Sequence, residues 1–187
     1  MPRNLMPLAW LVAIMVAIDG LKLPLVMATS YLMPELFAQT TVAEIDTASI
    51  GFYLLTAVVF AVWIVMAGQN LRRLGFEDLE FSPASRVWWF FIPIANLFRP
   101  FQGMRELWNA SHGEEHYGEN QPIVSIWWAL WLANGLISGF LPEGSVTWLT
   151  VLAVVGIALS GVAIAMIFRI TIAQNRPVAE DLAEVFA

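Results

Sequence analysis

The chain has 187 residues, is 59% hydrophobic and only 13% charged, carries a net charge of -6 and has a mean hydropathy of +0.70. Soluble domains keep their apolar fraction near ~45–50%, so an ordinary soluble fold is excluded, while the acidic balance offers no footprint for nucleic acid and little pull toward anionic lipid surfaces. Cysteine is absent, which removes disulfides, thiolate metal sites, iron–sulfur clusters and cysteine nucleophiles.

Four apolar runs approach the roughly 20 residues that a ~30 Å hydrocarbon core requires. They cover about 5–27, 50–68, 122–141 and 146–170. The pattern predicts an all-α integral membrane protein with four transmembrane helices, forming one helical domain over 1–187. The first run, preceded by Arg3 and followed by Val26-Met27-Ala28, imitates a signal peptide; it is expected to be retained as the first span. Arg3, Arg72, Arg73, Arg86, Arg99, Arg105, Arg169 and Arg176 all flank the runs on one side, while Glu35, Glu44, Asp46 and Glu143 fall on the other. By the positive-inside rule both termini are cytoplasmic.

Asp19 and Lys22 interrupt the first run three residues apart, close enough on a helix to neutralise each other. Ionisable groups at that depth cost at least ~2.5 kcal/mol each, which makes them either a functional pair or an internal ion pair that orients the helix. Pro24 follows and is expected to open the helix locally.

After the second run, Val87 to Phe98 is too short to span and is broken by Pro93. The element 87–109 therefore reads as re-entrant or interfacial. Beyond Pro100, Phe101, Met104 and Trp108 recur at helical spacing against Gln102, Arg105, Glu106 and Asn109. Such a helix lies on the cytoplasmic leaflet or is a cap packed under the bundle. Pro93 and Pro100 each remove a backbone donor, and the carbonyls they free need partners such as Asn96 and Gln102. If Arg86, Asn96, Arg99, Gln102 and Glu106 converge and pair, with Trp108 at the interface, the segment is an architectural elbow; if the arginines open onto a pocket, it is an anion site.

Ser111 to Gln121 is polar and glycine-bearing, a mobile loop by composition. Within it His112-Gly-Glu-Glu-His116 spells the H-x-x-E-H of inverzincins, but Gly113 and Gly118 favour a loop over the firm helix that chemistry requires, so no metal or cofactor is expected. Asn109-Ala-Ser111 is a glycosylation sequon in spelling only. In the third run Asn134 lies at a depth comparable to Asp19 and is a candidate hydrogen-bond partner. Gly135 with Gly139, Gly156 with Ser160, and Gly161 supply small-residue seams, read as close helix contacts. Trp10, Trp127, Trp128 and Trp148 read as aromatic belts. In the cytoplasmic tail, 171–187, Val178, Leu182, Val185 and Phe186 share one stripe opposite Glu180, Asp181 and Glu184, suited to covering protein rather than anionic lipid.

The stretch from Trp89 to Trp108 has the form W-x-x-x-P-I-x-N-L-x-x-P-x-x-x-M-x-E-x-W, set by Trp89, Pro93, Asn96, Leu97, Pro100, Met104, Glu106 and Trp108. It resembles the signature of a domain-of-unknown-function family of small four-helix bacterial membrane proteins. The resemblance spans roughly Ile50 to Ile170 and implies a fold and a bacterial inner-membrane location, but no activity. Neither histidine lies in a span, which leaves intramembrane nucleophilic or haem chemistry without its usual groups. The expected role is thus a non-catalytic accessory or scaffolding subunit, contacting the lipid bilayer and a membrane protein partner through the helix seams or the 178–186 tail. The alternative is a small solute-, lipid- or ion-handling protein with a polar core at Asp19, Lys22 and Asn134.

Overall fold

A computed structural model describes residues 2–35, 42–140 and 145–175. Its helices are α1 (Met6–Leu32), α2 (Val42–Arg73), α3 (Ser85–Trp88), α4 (Arg99–His112), α5 (Pro122–Gly139) and α6 (Val146–Asn175), with single 3-10 turns at Trp89–Phe91 and Ala95–Leu97. No strand occurs among the described residues. Four helices, α1, α2, α5 and α6, are long and apolar enough to cross a bilayer, and the chain is a multi-pass membrane protein.

The helices outrun the apolar stretches that announce them: α1 continues to Leu32, α2 starts at Val42 and ends at Arg73, and α6 reaches Asn175. Hydropathy marks only the part of a helix that needs lipid, whereas the backbone keeps its hydrogen bonds beyond it. Arg72 and Arg73 fill the last turn of α2, where cations complement the helix dipole. Pro24 lies inside α1 without ending it.

In lipid, helices associate by close contact rather than by escape from water. α1 runs along α6, and the approach is possible because Gly20 faces Gly156 and Ser160. A Cβ at Gly20 would stand 2.3 Å from Ser160 Oγ and 3.3 Å from the Gly156 carbonyl oxygen. The Gly156–Ser160 seam is thus used within the chain. α5 packs on α6, and α2 on α1.

One end of the bundle, the base, gathers the start of α1, the end of α2, α4 and the end of α6. Asn70 exchanges two hydrogen bonds with the Arg3 backbone, at 2.9 and 2.8 Å. Gln174 Nε2 donates to the Ala67 carbonyl (3.2 Å) and to Ser111 Oγ (2.8 Å), and Trp63 Nε1 donates to Thr171 Oγ1 (3.1 Å). α4 is a buried cap rather than a surface helix: Met104, Glu106, Leu107, Trp108 and Asn109 are all buried. Trp108, expected at the interface, lies in the core with its ring stacked 4.3 Å from that of His112. α2, α5 and α6 all pack against α4.

The 113–121 connection is tied down despite its composition. Gly113 closes α4 in the left-handed region (φ 73°), and Asn109 Nδ2 donates to the carbonyls of Tyr117 and Glu119, both at 2.9 Å. That use buries the sequon asparagine. The 178–186 stripe, Arg176 and Glu143 lie outside the described residues.

Candidate functional site

The elbow between α2 and α4 is built around Glu106. Its carboxylate accepts the backbone N–H groups of Glu80 (2.6 Å) and Phe81 (3.1 Å) and pairs with Arg86 Nη2 at 2.6 Å. Arg86 Nε donates to the Gly103 carbonyl at 3.3 Å. Gly68 makes room for this guanidinium, since a Cβ there would lie 2.7 Å from Arg86 Nη1. Burial pushes the Arg86 pKa down; the Glu106 charge and hydrogen bond oppose that, and Arg72 adds slightly to it. Arg99 pairs with Glu80 (2.6 Å) and Gln102 (3.3 Å) while its guanidinium lies over the rings of Trp89 and Phe81.

The carbonyls near the two prolines are met differently from expectation. Pro93 O accepts Ala95 N–H (2.8 Å), Ile92 O accepts Asn96 N–H (2.9 Å), and Phe98 O accepts Gln102 N–H (3.1 Å). Leu97 O is capped by the Trp128 indole at 3.0 Å. The Asn96 side chain makes no hydrogen bond among the described residues; tight backbone turns and an indole do what its amide was expected to do. One consequence is Ile94, a β-branched residue held at φ 66°, the centre of a strained three-residue turn, with its side chain 74% exposed. Arg86, Arg99, Gln102 and Glu106 thus form a closed, paired cluster, and Pro100 is buried at the start of α4.

Above the elbow lies a cavity of about 400 Å³. Val16 and Asp19 of α1 and Leu159, Ser160 and Ala163 of α6 form its back; Tyr53, Thr56, Phe60 and Ile64 of α2 and Trp127, Trp131 and Asn134 of α5 form its sides; Val87, Phe90 and Phe91 of the elbow form its floor. α2 and α5 do not share an extended packing interface, so the cavity is a cleft between them. Lys22 Nζ stands 2.5 Å from Asp19 Oδ1, donates to the Ser49 carbonyl at 2.9 Å and lies 5.5 Å from the Phe52 ring centre. Both Asp19 oxygens are buried, from the cavity as well as from bulk solvent; Oδ1 is held by the Lys22 ammonium, and Oδ2 has no hydrogen-bond partner among the described residues. The ammonium is close to Oδ1 but badly directed, so the contact is an ion pair only. The Asn134 amide and the Ser160 hydroxyl also lack a hydrogen-bond partner among the described residues, and both line the same cavity. Thr56 is spent on its own helix, donating to Phe52 O at 3.0 Å.

Asp19 and Asn134 therefore share a cavity without bonding to each other, while Lys22 stays outside its lining. Gly135, Gly139 and Gly161 make no close helix contact among the described residues: a Cβ on any of them would meet nothing there within 4 Å. Trp127 and Trp128 are buried rather than belt residues, with Trp128 stacked on Trp131 at 4.6 Å; Trp10 and Trp148 do face outward. His112 ends α4 and bonds the Trp108 carbonyl (2.8 Å), whereas His116 lies in the loop near Glu119 (3.7 Å). No cluster of three metal-ligating side chains occurs among the described residues. Sequence inspection missed Phe90 and Trp131 as cavity residues; three tryptophans within five positions, Trp127 to Trp131, were the available signal.

No curated protein and no solved structure matches the chain. Residues 35–172 match the family described as a domain of unknown function (DUF4328), a region that includes the elbow, Asn134 and Ser160 but begins after Asp19 and Lys22. Because that match covers well over half of the 187 residues, the chain belongs to the DUF4328 family.

Proposed function

We propose that this protein is a small-molecule binding protein of the bacterial inner membrane, which receives an amphiphilic ligand sideways through the cleft between α2 and α5. The base, where the described arginines collect, faces the cytoplasm under the positive-inside rule, and the 85–98 segment rests at that interface with Trp88, Phe91 and Ile94 exposed to it. One observation carries the proposal: a single apolar cavity of about 400 Å³ is lined by four helices and the elbow, and the Asn134 amide and Ser160 hydroxyl on its wall have no hydrogen-bond partner among the described residues. Unpaired polar groups inside a membrane protein are expensive and mark ligand or ion pathways. The volume suits a small organic molecule, at the lower end of the ~300–1,000 Å³ typical of ligand pockets.

The test is to fill the cleft. Ala61 of α2 lines it, so Ala61→Trp should occlude it with little damage to the rest of the bundle. A neutral probe, 2-naphthylmethanol, should raise the midpoint of thermal unfolding of the detergent-solubilised protein saturably, and Ala61→Trp should remove that response. An unchanged response in the variant would place binding elsewhere.

A second reading, an accessory subunit of a larger membrane complex, is favoured by the outward-facing Gly135 and Gly139 of α5, which leave a smooth strip suited to a partner helix. Native mass analysis after mild extraction tests it: a co-purifying protein lost on Gly139→Leu supports it, and a monomer in both forms removes it.

A further inference from the structure

We propose that a groove at the base end of α2 holds the phosphate group of an anionic membrane lipid, whose acyl chain lies along the adjoining face of that helix. The groove, of about 430 Å³, runs between Val65, Gln69, Arg72 and Arg73 of α2 and the turn at Ser82 and Pro83, and it shares no lining residue with the cleft. Residues 65, 69, 72 and 73 are spaced i, i+4, i+7 and i+8, so one stripe of α2 faces the turn. Gly68 lets the turn come this near, since a Cβ there would stand 3.2 Å from Pro83 Cα. The base faces the cytoplasm in the orientation proposed above, which puts the groove at the headgroups of the inner leaflet.

Every polar side chain on the groove's wall can donate a hydrogen bond, and none is a carboxylate. Arg72 and Arg73 are exposed and have neither an ion pair nor a hydrogen bond among the described residues. They are not spent on the end of their own helix: Leu71 O accepts Phe76 N–H at 3.1 Å and Arg72 O accepts Gly75 N–H at 3.2 Å. The Gln69 amide is also without a bond among the described residues, and Ser82 Oγ, which accepts Ser85 N–H at 3.1 Å, keeps its hydrogen to give. Two planar guanidiniums beside further donors match the several oxygens of a phosphate. Arg86 lies behind Pro83, sealed from the groove, and adds charge rather than a contact. Burial lowers its pKa most, Glu106 opposes that, and the charge of Arg72 lowers it a little further. An anion held by Arg72 relieves this repulsion.

A lipid is the occupant because the stripe continues into the bilayer. Beyond Val65 it passes through Val62 and Val58, 45% and 60% exposed, whereas the cleft uses Ala57, Phe60 and Ile64 on a different face. At ~1.5 Å per residue Val58 stands about 20 Å from Arg72 along the helix, enough to follow an acyl chain across one leaflet of a ~30 Å core. The net charge of -6 does not oppose this, since exposed charges farther off than a Debye length of ~8 Å are screened.

The experiment counts lipids bound to full-length, detergent-solubilised protein by native mass spectrometry as phosphatidylglycerol, phosphatidylcholine or diacylglycerol is titrated. One phosphatidylglycerol is expected to bind at least about tenfold more tightly than either of the others, the effect that two basic residues give at a membrane surface. Arg72→Gln combined with Arg73→Gln should abolish that preference and leave the unfolding midpoint without lipid where it is, because both side chains are exposed and unpaired. Should the double variant unfold, each single change carries the test with a partial loss of preference. Arg169→Gln removes an exposed arginine of α6 outside the groove and should change nothing. A preference that survives the double variant, or one lost equally in Arg169→Gln, overturns the groove as the site. Displacement of the lipid by glycerol 3-phosphate at matched concentration assigns the groove to a soluble phosphate and overturns the lipid. Equal binding of all three lipids by the parent protein overturns both.

Discussion

The base and the cleft handle buried polar groups in opposite ways. At the base, Arg3, Asn70, Arg86, Glu106, Asn109 and Gln174 are each fixed by at least one specific partner, and single buried atoms of Arg86, Arg105, Asn109 and Gln174 are left over among the described residues. In the cleft, Asp19 has an ion pair and no hydrogen bond, and Asn134 and Ser160 have neither. The polar-rich motif is thus architecture, and under the proposed function the sparse polar residues of the spans line the site. Stability follows satisfied groups, whereas affinity needs groups held in reserve for something else.

The comparison breaks most visibly at Glu106. Changing it to Leu strands the buried Arg86 guanidinium and Phe81 N–H and leaves the half-buried Glu80 N–H unmet. Removing one member of a buried pair costs about 3–5 kcal/mol, so the folded yield and the unfolding midpoint in detergent should both collapse. Adding Arg86→Met should recover part of the loss, though not all, because the Glu80 and Phe81 N–H groups remain unmet. A single variant as stable as the parent would show that the base is not organised around this carboxylate.

Small residues sharpen the contrast on the helix surfaces. Gly20→Ala pushes a Cβ into Ser160 and the α6 backbone, and overpacking of that kind costs about 1–3 kcal/mol. Gly135→Ala meets nothing and should be neutral or stabilising by up to about 1 kcal/mol in the isolated protein, as helix propensity favours alanine. Thermal unfolding of the two variants side by side decides. Equal destabilisation would mean that α5 also has a tight neighbour, which the described residues do not provide.

Why one of these seams was legible and the other not is a matter of lipid. Runs of Leu, Val, Ile and Ala announce α1, α2, α5 and α6 because the bilayer demands them, and the i,i+3 spacing of Asp19 and Lys22 announces their ion pair. Glu106 with an arginine could be anticipated because a charge beside Met104 and Trp108 needs a counter-charge. A helix that is apolar all round has no stripe to say which face meets protein and which meets lipid. Trp127 and Trp128 were misassigned for that reason, Gly135 and Gly139 have no neighbour among the described residues, and the cleft itself could not be foreseen, since it exists only where four separate helices leave space.

The smallest effects test the elbow's own division of labour. Trp128 Nε1 caps the Leu97 carbonyl, so Trp128→Phe keeps most of the ring stack with Trp131 and leaves that acceptor unmet, at a cost of about 1–3 kcal/mol. Asn96 sits in the signature motif, yet its side chain bonds to nothing described, and its backbone N–H, which Leu retains, closes the turn onto Ile92 O. Asn96→Leu should therefore change stability by less than about 0.5 kcal/mol, the range of substitutions that remove no buried partner. Urea or thermal unfolding of both variants ranks them. If Asn96→Leu proves the more damaging, the asparagine amide has a partner in the membrane-bound protein beyond the described contacts, and the signature marks a contact site as well as a bend.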